Sequence, residues 1–176
     1  MRKVTLLAAG LVAAAGLVVP ATAANAANDA STTVNFSILG TEGGGLSVTV
    51  AGGLGTVTPT AGKASGLLTL VSVSDSRNQA PRGWVASASS TDFVGTNETI
   101  PKSAVTYSAS SPAGKVGGGT LASTGEQTLD SPKTVVSRTG LTWPLEVATW
   151  SPTLTVNYPD GASIGSYTGT ITISVA

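Results

Sequence analysis

Apolar and polar residues alternate along much of the chain after residue 30. A two-residue period places successive side chains on opposite faces of a β-strand. Serine and threonine fill most of the intervening positions, so we predict half-buried strands whose hydroxyl side chains face water. Four segments show the pattern, with apolar positions at Val34, Phe36 and Ile38; Leu46, Val48 and Val50; Leu154, Val156 and Tyr158; and Tyr167, Ile171, Ile173 and Val175.

The segment GLLTLVSVSD changes phase between Leu68/Leu70 and Val71/Val73. A phase change of this kind predicts either a β-bulge or a strand that is covered on both faces.

Glycine- and proline-rich segments separate the predicted strands. In Tyr158-Pro159-Asp160-Gly161, proline presets φ and glycine can take a left-handed conformation, so we predict a turn between strands near 153–158 and 166–175. Residues 108–133 are typical of a long, mobile connection with one short strand at Thr120–Ser123. No segment shows helical periodicity over several turns. We therefore predict an all-β fold, a single immunoglobulin-like antiparallel β-sandwich of roughly seven to nine strands.

The first residues differ in kind from the rest. Arg2 and Lys3 precede an apolar run from Val4 to Val19, and Pro20 is followed by small residues with two A-x-A sites. This pattern is typical of a secretory signal peptide. We predict a signal peptide at residues 1–27, a single domain at 28–176, and a secreted or cell-surface location.

Charge limits the range of partners. Without Arg2 and Lys3 the chain has seven basic and nine acidic residues, a net charge of about −2, and the basic residues are scattered. We therefore expect no nucleic-acid partner, and no membrane partner once the signal peptide has been removed.

Catalytic and metal-binding patterns are weak. The chain has no histidine and no cysteine, which excludes the commonest general base, thiol nucleophiles and His/Cys metal sites. Gly161–Gly165 matches G-x-S-x-G, but we interpret Ser163 as part of a turn because a nucleophile elbow requires a histidine partner. Asp75, Asp92 and Asp160 could bind calcium, although solvated loop acids are the favoured interpretation. We expect no catalytic residue, metal or cofactor.

The three tryptophans are the main candidates for recognition. Trp84 begins an alternating segment with Ala86 and Ala88, which favours packing above small inward residues. Trp143 and Trp150 flank TWPLEVATW beside prolines, which favours core or rim packing and leaves a sugar-stacking or partner surface as the alternative.

Two segments resemble the WxL-type cell-surface domain family of Gram-positive bacteria. One is LTLVSVSDSRNQAPRGWVASASSTDF, with Asp75-x-Arg77 followed by Gly83-Trp84, and the other is YPDGASIGSYTGTITISVA. In place of the family's Trp-x-Leu the chain has Trp84-Val85-Ala86, and a literal copy occurs at Trp143-Pro144-Leu145. The resemblance implies a secreted β-sandwich held non-covalently on the cell wall, with peptidoglycan as ligand.

These observations predict a non-enzymatic surface protein that binds cell-wall glycan or another secreted surface protein. The alternative is a structural subunit that assembles through strand edges into a surface layer or fibre. The candidate ligand or partner surface comprises Trp143, Trp150, Trp84, Asp75 and Arg77.

Overall fold

The computed structural model describes residues 32–39, 45–51, 55–78, 81–163 and 165–176, with residues 32–39 and 55–56 described through their backbone. The proposed signal peptide therefore lies outside the described residues. Within them, the one helical segment is the single 3₁₀ turn Lys102–Ala104, and no helix is long and apolar enough to cross a membrane.

The described residues form fifteen strands. In chain order they are β1 Thr32–Leu39, β2 Leu46–Val50, β3 Gly55–Thr60, β4 Lys63–Leu67, β5 Val71–Asp75, β6 Arg82–Ser90, β7 Phe93–Val94, β8 Thr99–Ile100, β9 Val105–Ala109, β10 Thr120–Ser123, β11 Glu126–Thr128, β12 Lys133–Leu141, β13 Glu146–Trp150, β14 Pro152–Asn157 and β15 Tyr167–Val175.

The all-β sandwich-like fold is confirmed, while the predicted strand number is too low. Twelve described strands form one large sheet with the order β10-β12-β6-β15-β1-β3-β4-β14-β9-β11, to which β7 and β8 attach beside β15. The other three form a small sheet with the order β13-β5-β2. Strands of two or three residues, such as β7, β8 and β11, are too short to show a period in the sequence.

One strand pair departs from the antiparallel arrangement that we predicted. Strand β1 runs parallel to β15, from the pair Thr32 and Tyr167 to the pair Leu39 and Ser174. It also pairs in the antiparallel sense with β3. The first described strand therefore lies in the middle of the large sheet, between β15 and β3.

Alternation along the strands decides which residues enter the hydrophobic core, to which strands of both sheets contribute. In β15 the inward residues Ile171, Ile173 and Val175 are buried, and in β14 so are Leu154 and Val156. The same strands show threonine and serine on the other face, as the sequence predicts. Because the chain contains no cysteine, apolar burial is the main stabilising contribution, worth about 1.5–3 kcal/mol for each large aliphatic side chain.

The phase change near residue 70 has a different cause from either that we predicted. Strand β4 ends at Leu67 in the large sheet, and β5 begins at Val71 in the small sheet. Between them Leu68 is buried, while Leu67 and Leu70 are 71% and 44% exposed. The change therefore marks the point at which the chain leaves one sheet and enters the other, and it is neither a bulge nor a doubly covered strand.

The predicted turn after Tyr158 is confirmed. The Ala162 N–H donates to the Pro159 carbonyl oxygen at 3.0 Å, and Gly161 has a φ of +84°. The two strands that it connects, β14 and β15, are not neighbours in the sheet.

The segment 108–133 contains the predicted strand at Thr120–Ser123 and also β11, which sequence analysis missed. Backbone hydrogen bonds join this segment to the rest of the fold, among them those of a β-bridge between Ala113 and Thr149.

Candidate functional site

The five residues predicted to form a ligand surface divide into buried and exposed groups. Trp84 and Trp150 are each 2% exposed and Asp75 is 0% exposed, so the prediction of a surface role is wrong for these three. Trp143 is 57% exposed, and the Arg77 side chain is 31% exposed. A ligand can therefore reach Trp143 and the Arg77 guanidinium, but not the other three.

Trp84 and Trp150 pack against each other in the core between the two sheets. Their ring centroids lie 6.5 Å apart with planes 21° from parallel. Trp150 Nε1–H donates to the Tyr107 hydroxyl at 2.9 Å. The core packing predicted for Trp84 and favoured for Trp150 is confirmed, and the sugar-stacking alternative for Trp150 is wrong. Burial raises the pKa of Tyr107 far above its ordinary value, which the hydrogen bond from Trp150 offsets only in part.

Asp75 joins two arginines at the end of β5. Arg77 donates from Nε and Nη2 to its two carboxylate oxygens at 3.0 Å each. Arg82 Nε lies 3.1 Å from Asp75 Oδ1, an ion pair without hydrogen-bond alignment. Burial alone would raise the pKa of Asp75, but the hydrogen bonds from Arg77 and the charges of Arg77 and Arg82 hold it below its ordinary value.

A second buried ion pair lies beside the first. Arg138 donates from Nε to Glu146 Oε1 at 2.7 Å and from Nη2 to Oε2 at 2.9 Å. Its remaining N–H groups donate to the carbonyl oxygens of Gly118, Thr139 and Val116. All five guanidinium donors are therefore satisfied inside the protein, as a buried arginine requires.

The two ion pairs bridge the two sheets. Asp75 and Glu146 are register partners on the neighbouring strands β5 and β13 of the small sheet. Arg82 and Arg138 lie on β6 and β12, which are neighbours in the large sheet. Each carboxylate thus reaches across the interior to an arginine of the opposite sheet.

Sequence analysis missed this ion-pair cluster, although the strand pattern indicates it. The cluster consists of Asp75, Arg82, Arg138 and Glu146. Each charged residue occupies an inward position of its strand. Asp75 follows the buried Val71 and Val73, and Arg82 shares the phase of Trp84 and Ala86. A charge at an inward position of an apolar face calls for a buried partner of opposite charge.

The cluster also holds the backbone that carries Trp143. Arg82 Nη2 donates to the Trp143 carbonyl oxygen at 2.6 Å. On the other side lies Gly117, with a φ of +67°, where an added Cβ would lie 3.5 Å from Trp143 Cβ. The Trp143 indole therefore projects from a backbone held by a buried guanidinium. Leu145 and Val147 follow it in the chain and are also exposed, at 52% and 45%.

The serine of the G-x-S-x-G sequence lies in the loop between β14 and β15, so its interpretation as a turn residue is confirmed. The Ser163 N–H donates to Glu98 Oε1 at 2.8 Å, and Tyr167 donates to the same oxygen at 2.6 Å. The hydrogen bond from Tyr167 is the main cause that lowers the pKa of Glu98. Burial, together with the Glu98 carboxylate, raises the pKa of Tyr167 to about 12.

A cleft of about 210 Å³ lies beside this group, lined by Thr96, Asn97, Ser163, Gly165, Ser166 and Tyr167.

The three aspartates considered for calcium do not form a site. Asp75 is neutralised by arginines, while Asp92 Oδ1 accepts the Lys102 N–H at 2.8 Å in an exposed loop. Across the described ranges, no group of three or more His, Cys, Asp or Glu side chains lies close enough to hold a metal ion. The favoured interpretation as a solvated loop acid is wrong for Asp75, which is buried.

No protein-family model matches the chain, and comparison with curated proteins gives no significant match.

Proposed function

We propose that the protein is a secreted, non-enzymatic surface protein, similar to WxL-type domains, that binds the peptidoglycan of the cell wall non-covalently. The observation that carries this proposal is the exposure of Trp143. All three tryptophans lie in the described part of the chain, and Trp143 is the one whose ring reaches solvent.

Trp143 has the properties of a binding residue rather than of a packing residue. An indole ring buries a large apolar area with few rotatable bonds, and its face can stack on the C–H face of a sugar ring. The hydrogen bond from Arg82 fixes the Trp143 carbonyl, so little backbone freedom would be lost on binding. Leu145 and Val147 extend the exposed apolar area beside the ring.

Arg77 places hydrogen-bond donors at the same end of the sandwich. Asp75 is paired with both Arg77 and Arg82, and Arg82 binds the backbone of Trp143. Arg77 is the more exposed of the two arginines, so it can offer donors to the polar groups of a bound wall fragment.

The test is sedimentation of the purified protein with peptidoglycan sacculi, with serum albumin as the reference for non-specific trapping. We expect the protein to be enriched over albumin. We expect Trp143→Ala to weaken binding at least about tenfold, because truncating a central aromatic residue removes a large part of the contact. Val94→Ala is the matched control, since Val94 is 58% exposed on the distant strand β7.

Two results would count against the proposal. No enrichment of the unaltered protein over albumin would remove wall binding altogether. Equal binding of Trp143→Ala and the unaltered protein would remove Trp143 as the contact.

A second candidate function is assembly through strand edges, which the composition of β2 favours. Among the described strands β2 lies at an edge of the small sheet, and its sequence, Leu46–Val50, contains no charge, glycine or proline that would discourage pairing. This function predicts that molar mass measured by light scattering rises with concentration, and that Thr49→Lys prevents the rise. A monomer at every concentration would exclude it.

A further inference from the structure

The exposed tryptophan lies in the bend between β12 and β13, at the start of a longer exposed face whose alternation begins at Glu146. From residue 143 to residue 157 every odd-numbered side chain is exposed or partly exposed, and from residue 146 onward every even-numbered side chain is buried. The apolar end of this 143–157 face consists of Trp143, Leu145 and Val147. The polar end consists of Thr149, Ser151, Thr153, Thr155 and Asn157.

The face is continuous across two sheets. Strand β13 belongs to the small sheet and β14 to the large one, and Ser151 alone separates them. The Ser151 N–H donates to Ser110 Oγ at 3.0 Å, and the Ser151 carbonyl oxygen accepts the Ser110 N–H at 3.1 Å. Because the alternation keeps its phase through Ser151, the exposed side chains from Val147 to Asn157 follow about 33 Å of extended chain at ~3.3 Å per residue.

Hydroxyl groups of neighbouring strands widen the polar end. Thr155 lies in a cross-strand row whose members come from β3, β4, β14, β9 and β11. Within the row, the Ser65 and Thr155 hydroxyl oxygens lie 2.9 Å apart. Neighbouring strands are separated by about 4.8 Å, so the row presents evenly spaced hydroxyls. Its members are Thr58, Ser65, Thr155, Thr106 and Thr128.

The chemistry of this face selects one class of ligand. Its own side chains carry no charge, and the exposed charges beside it on neighbouring strands, Lys63 and Glu126, are of opposite sign, so it has no net charge to attract an anionic polymer. Hydroxyl groups both donate and accept, as the hydroxyl and amide groups of a sugar do. An aromatic ring followed by a row of hydroxyls therefore complements a polymer that presents apolar ring faces and polar edges together.

We propose that the 143–157 face is an extended site for an uncharged glycan chain, which stacks on Trp143 and lies along β13 and β14 toward Thr155. This inference rests on the proposed function and specifies its ligand as the glycan strands of the wall rather than their peptides. A site of this length engages several sugar rings, so affinity must rise with chain length.

The test uses two Thr→Val pairs, since valine keeps the shape and strand preference of threonine and replaces the hydroxyl with a methyl group. Thr153→Val/Thr155→Val alters the proposed site. Thr170→Val/Thr172→Val alters the matched outward positions of β15, on a separate strand of the large sheet. Binding is measured to peptidoglycan sacculi, to chitin beads, which are an uncharged glycan without peptide, and to soluble chitin disaccharide and hexasaccharide. Urea unfolding curves confirm that both variants fold.

We expect binding to sacculi and chitin to fall about tenfold in Thr153→Val/Thr155→Val, the loss of about two hydrogen bonds, and to stay unchanged in Thr170→Val/Thr172→Val. We expect the hexasaccharide to bind more tightly than the disaccharide.

Three outcomes would overturn the inference while leaving wall binding intact: binding to sacculi but not to chitin, full binding by Thr153→Val/Thr155→Val when Trp143→Ala has lost it, or equal affinity for the two oligosaccharides. Failure of the unaltered protein to bind either sacculi or chitin would refute the proposed function as well.

Discussion

Arg138 and Glu146 face each other across the interior of the sandwich in a two-point contact, with Nε 2.7 Å from Oε1 and Nη2 2.9 Å from Oε2. Both side chains are fully enclosed, at 0% and 1% exposure. Glu146 also accepts the Val116 N–H, and Arg138 donates to two carbonyls of the segment 116–118. This buried ion pair therefore links β12 of the large sheet with β13 of the small sheet. It also holds the backbone of the glycine-rich segment 116–118 through hydrogen bonds.

Replacing Glu146 by Ala should destabilise the fold by about 3–5 kcal/mol, because it leaves the Arg138 guanidinium buried without its counter-charge. The free energy of unfolding in urea measures the loss. Asp130→Asn is the matched control, since it breaks the exposed ion pair between Asp130 and Lys133 and should leave the unfolding midpoint unchanged. Equal midpoints for Glu146→Ala and Asp130→Asn would contradict the structural role of the buried pair.

Stability should depend on Asp75 at acid pH. Its pKa in the folded protein lies below the ordinary 3.8, so folding favours the carboxylate form. The resulting stabilisation is fully present above the unfolded-state pKa and is lost as the pH falls through the folded-state pKa. The stability difference between the unaltered protein and Asp75→Asn should therefore be constant from pH 7 to pH 5 and shrink below about pH 4. Unfolding curves across this range measure the stability difference. A difference that grows on acidification would contradict a lowered pKa of Asp75 in the folded protein.

The hydrogen bond between Trp150 and Tyr107 should couple these two residues energetically. Trp150→Phe leaves the buried Tyr107 hydroxyl without its donor, a cost of about 1–3 kcal/mol in addition to the smaller ring. Tyr107→Phe removes the orphaned hydroxyl, so the double variant should be less destabilised than the two single changes added together. A double-mutant cycle from urea unfolding gives the coupling energy. If the two single losses of stability add up to that of the double variant, the hydrogen bond between Trp150 and Tyr107 contributes no coupling energy.

Two glycines with similar backbone angles should respond differently to alanine. Gly119 has a φ of +76°, and a Cβ there would clash with the Thr139 carbonyl oxygen. Gly125 has a φ of +80°, and a Cβ there would meet nothing within 4 Å. Gly125→Ala should cost about 1–2 kcal/mol for the left-handed conformation alone, and Gly119→Ala clearly more. Thermal unfolding compares the two, and equal losses would argue against the close approach at Gly119.

The strand pattern predicted much of the fold because a strand that is buried on one face requires apolar residues at every second position. In β15 every inward residue is apolar and the outward positions between Thr168 and Ser174 carry hydroxyls, so the period is visible without knowledge of the partner strands. The same reasoning gave no information on β7, which is two residues long, or on the parallel pairing of β1 with β15. Pairing depends on contacts between residues far apart in the chain, which a local period does not contain.

The candidate site was only partly predictable for the same reason. Trp143 and Trp150 flank one short segment, but Trp150 shares the phase of the buried Leu154 and Val156, while Trp143 has the opposite phase. Their positions in the alternation could therefore have distinguished the buried Trp150 from the exposed Trp143. The inward phase of Glu146 could likewise have shown that it is buried, whereas its choice of Arg138 as partner depends on how the two sheets pack.

The parallel pair of β1 and β15 has a mechanical consequence. Because the two strands run in the same direction, Thr32 and Val175 lie at opposite ends of the pair. Tension applied between these two residues would load the hydrogen bonds along the eight register pairs together, in shear, instead of opening them one after another. A strand pair loaded in this way resists rupture far better than one whose hydrogen bonds open in sequence.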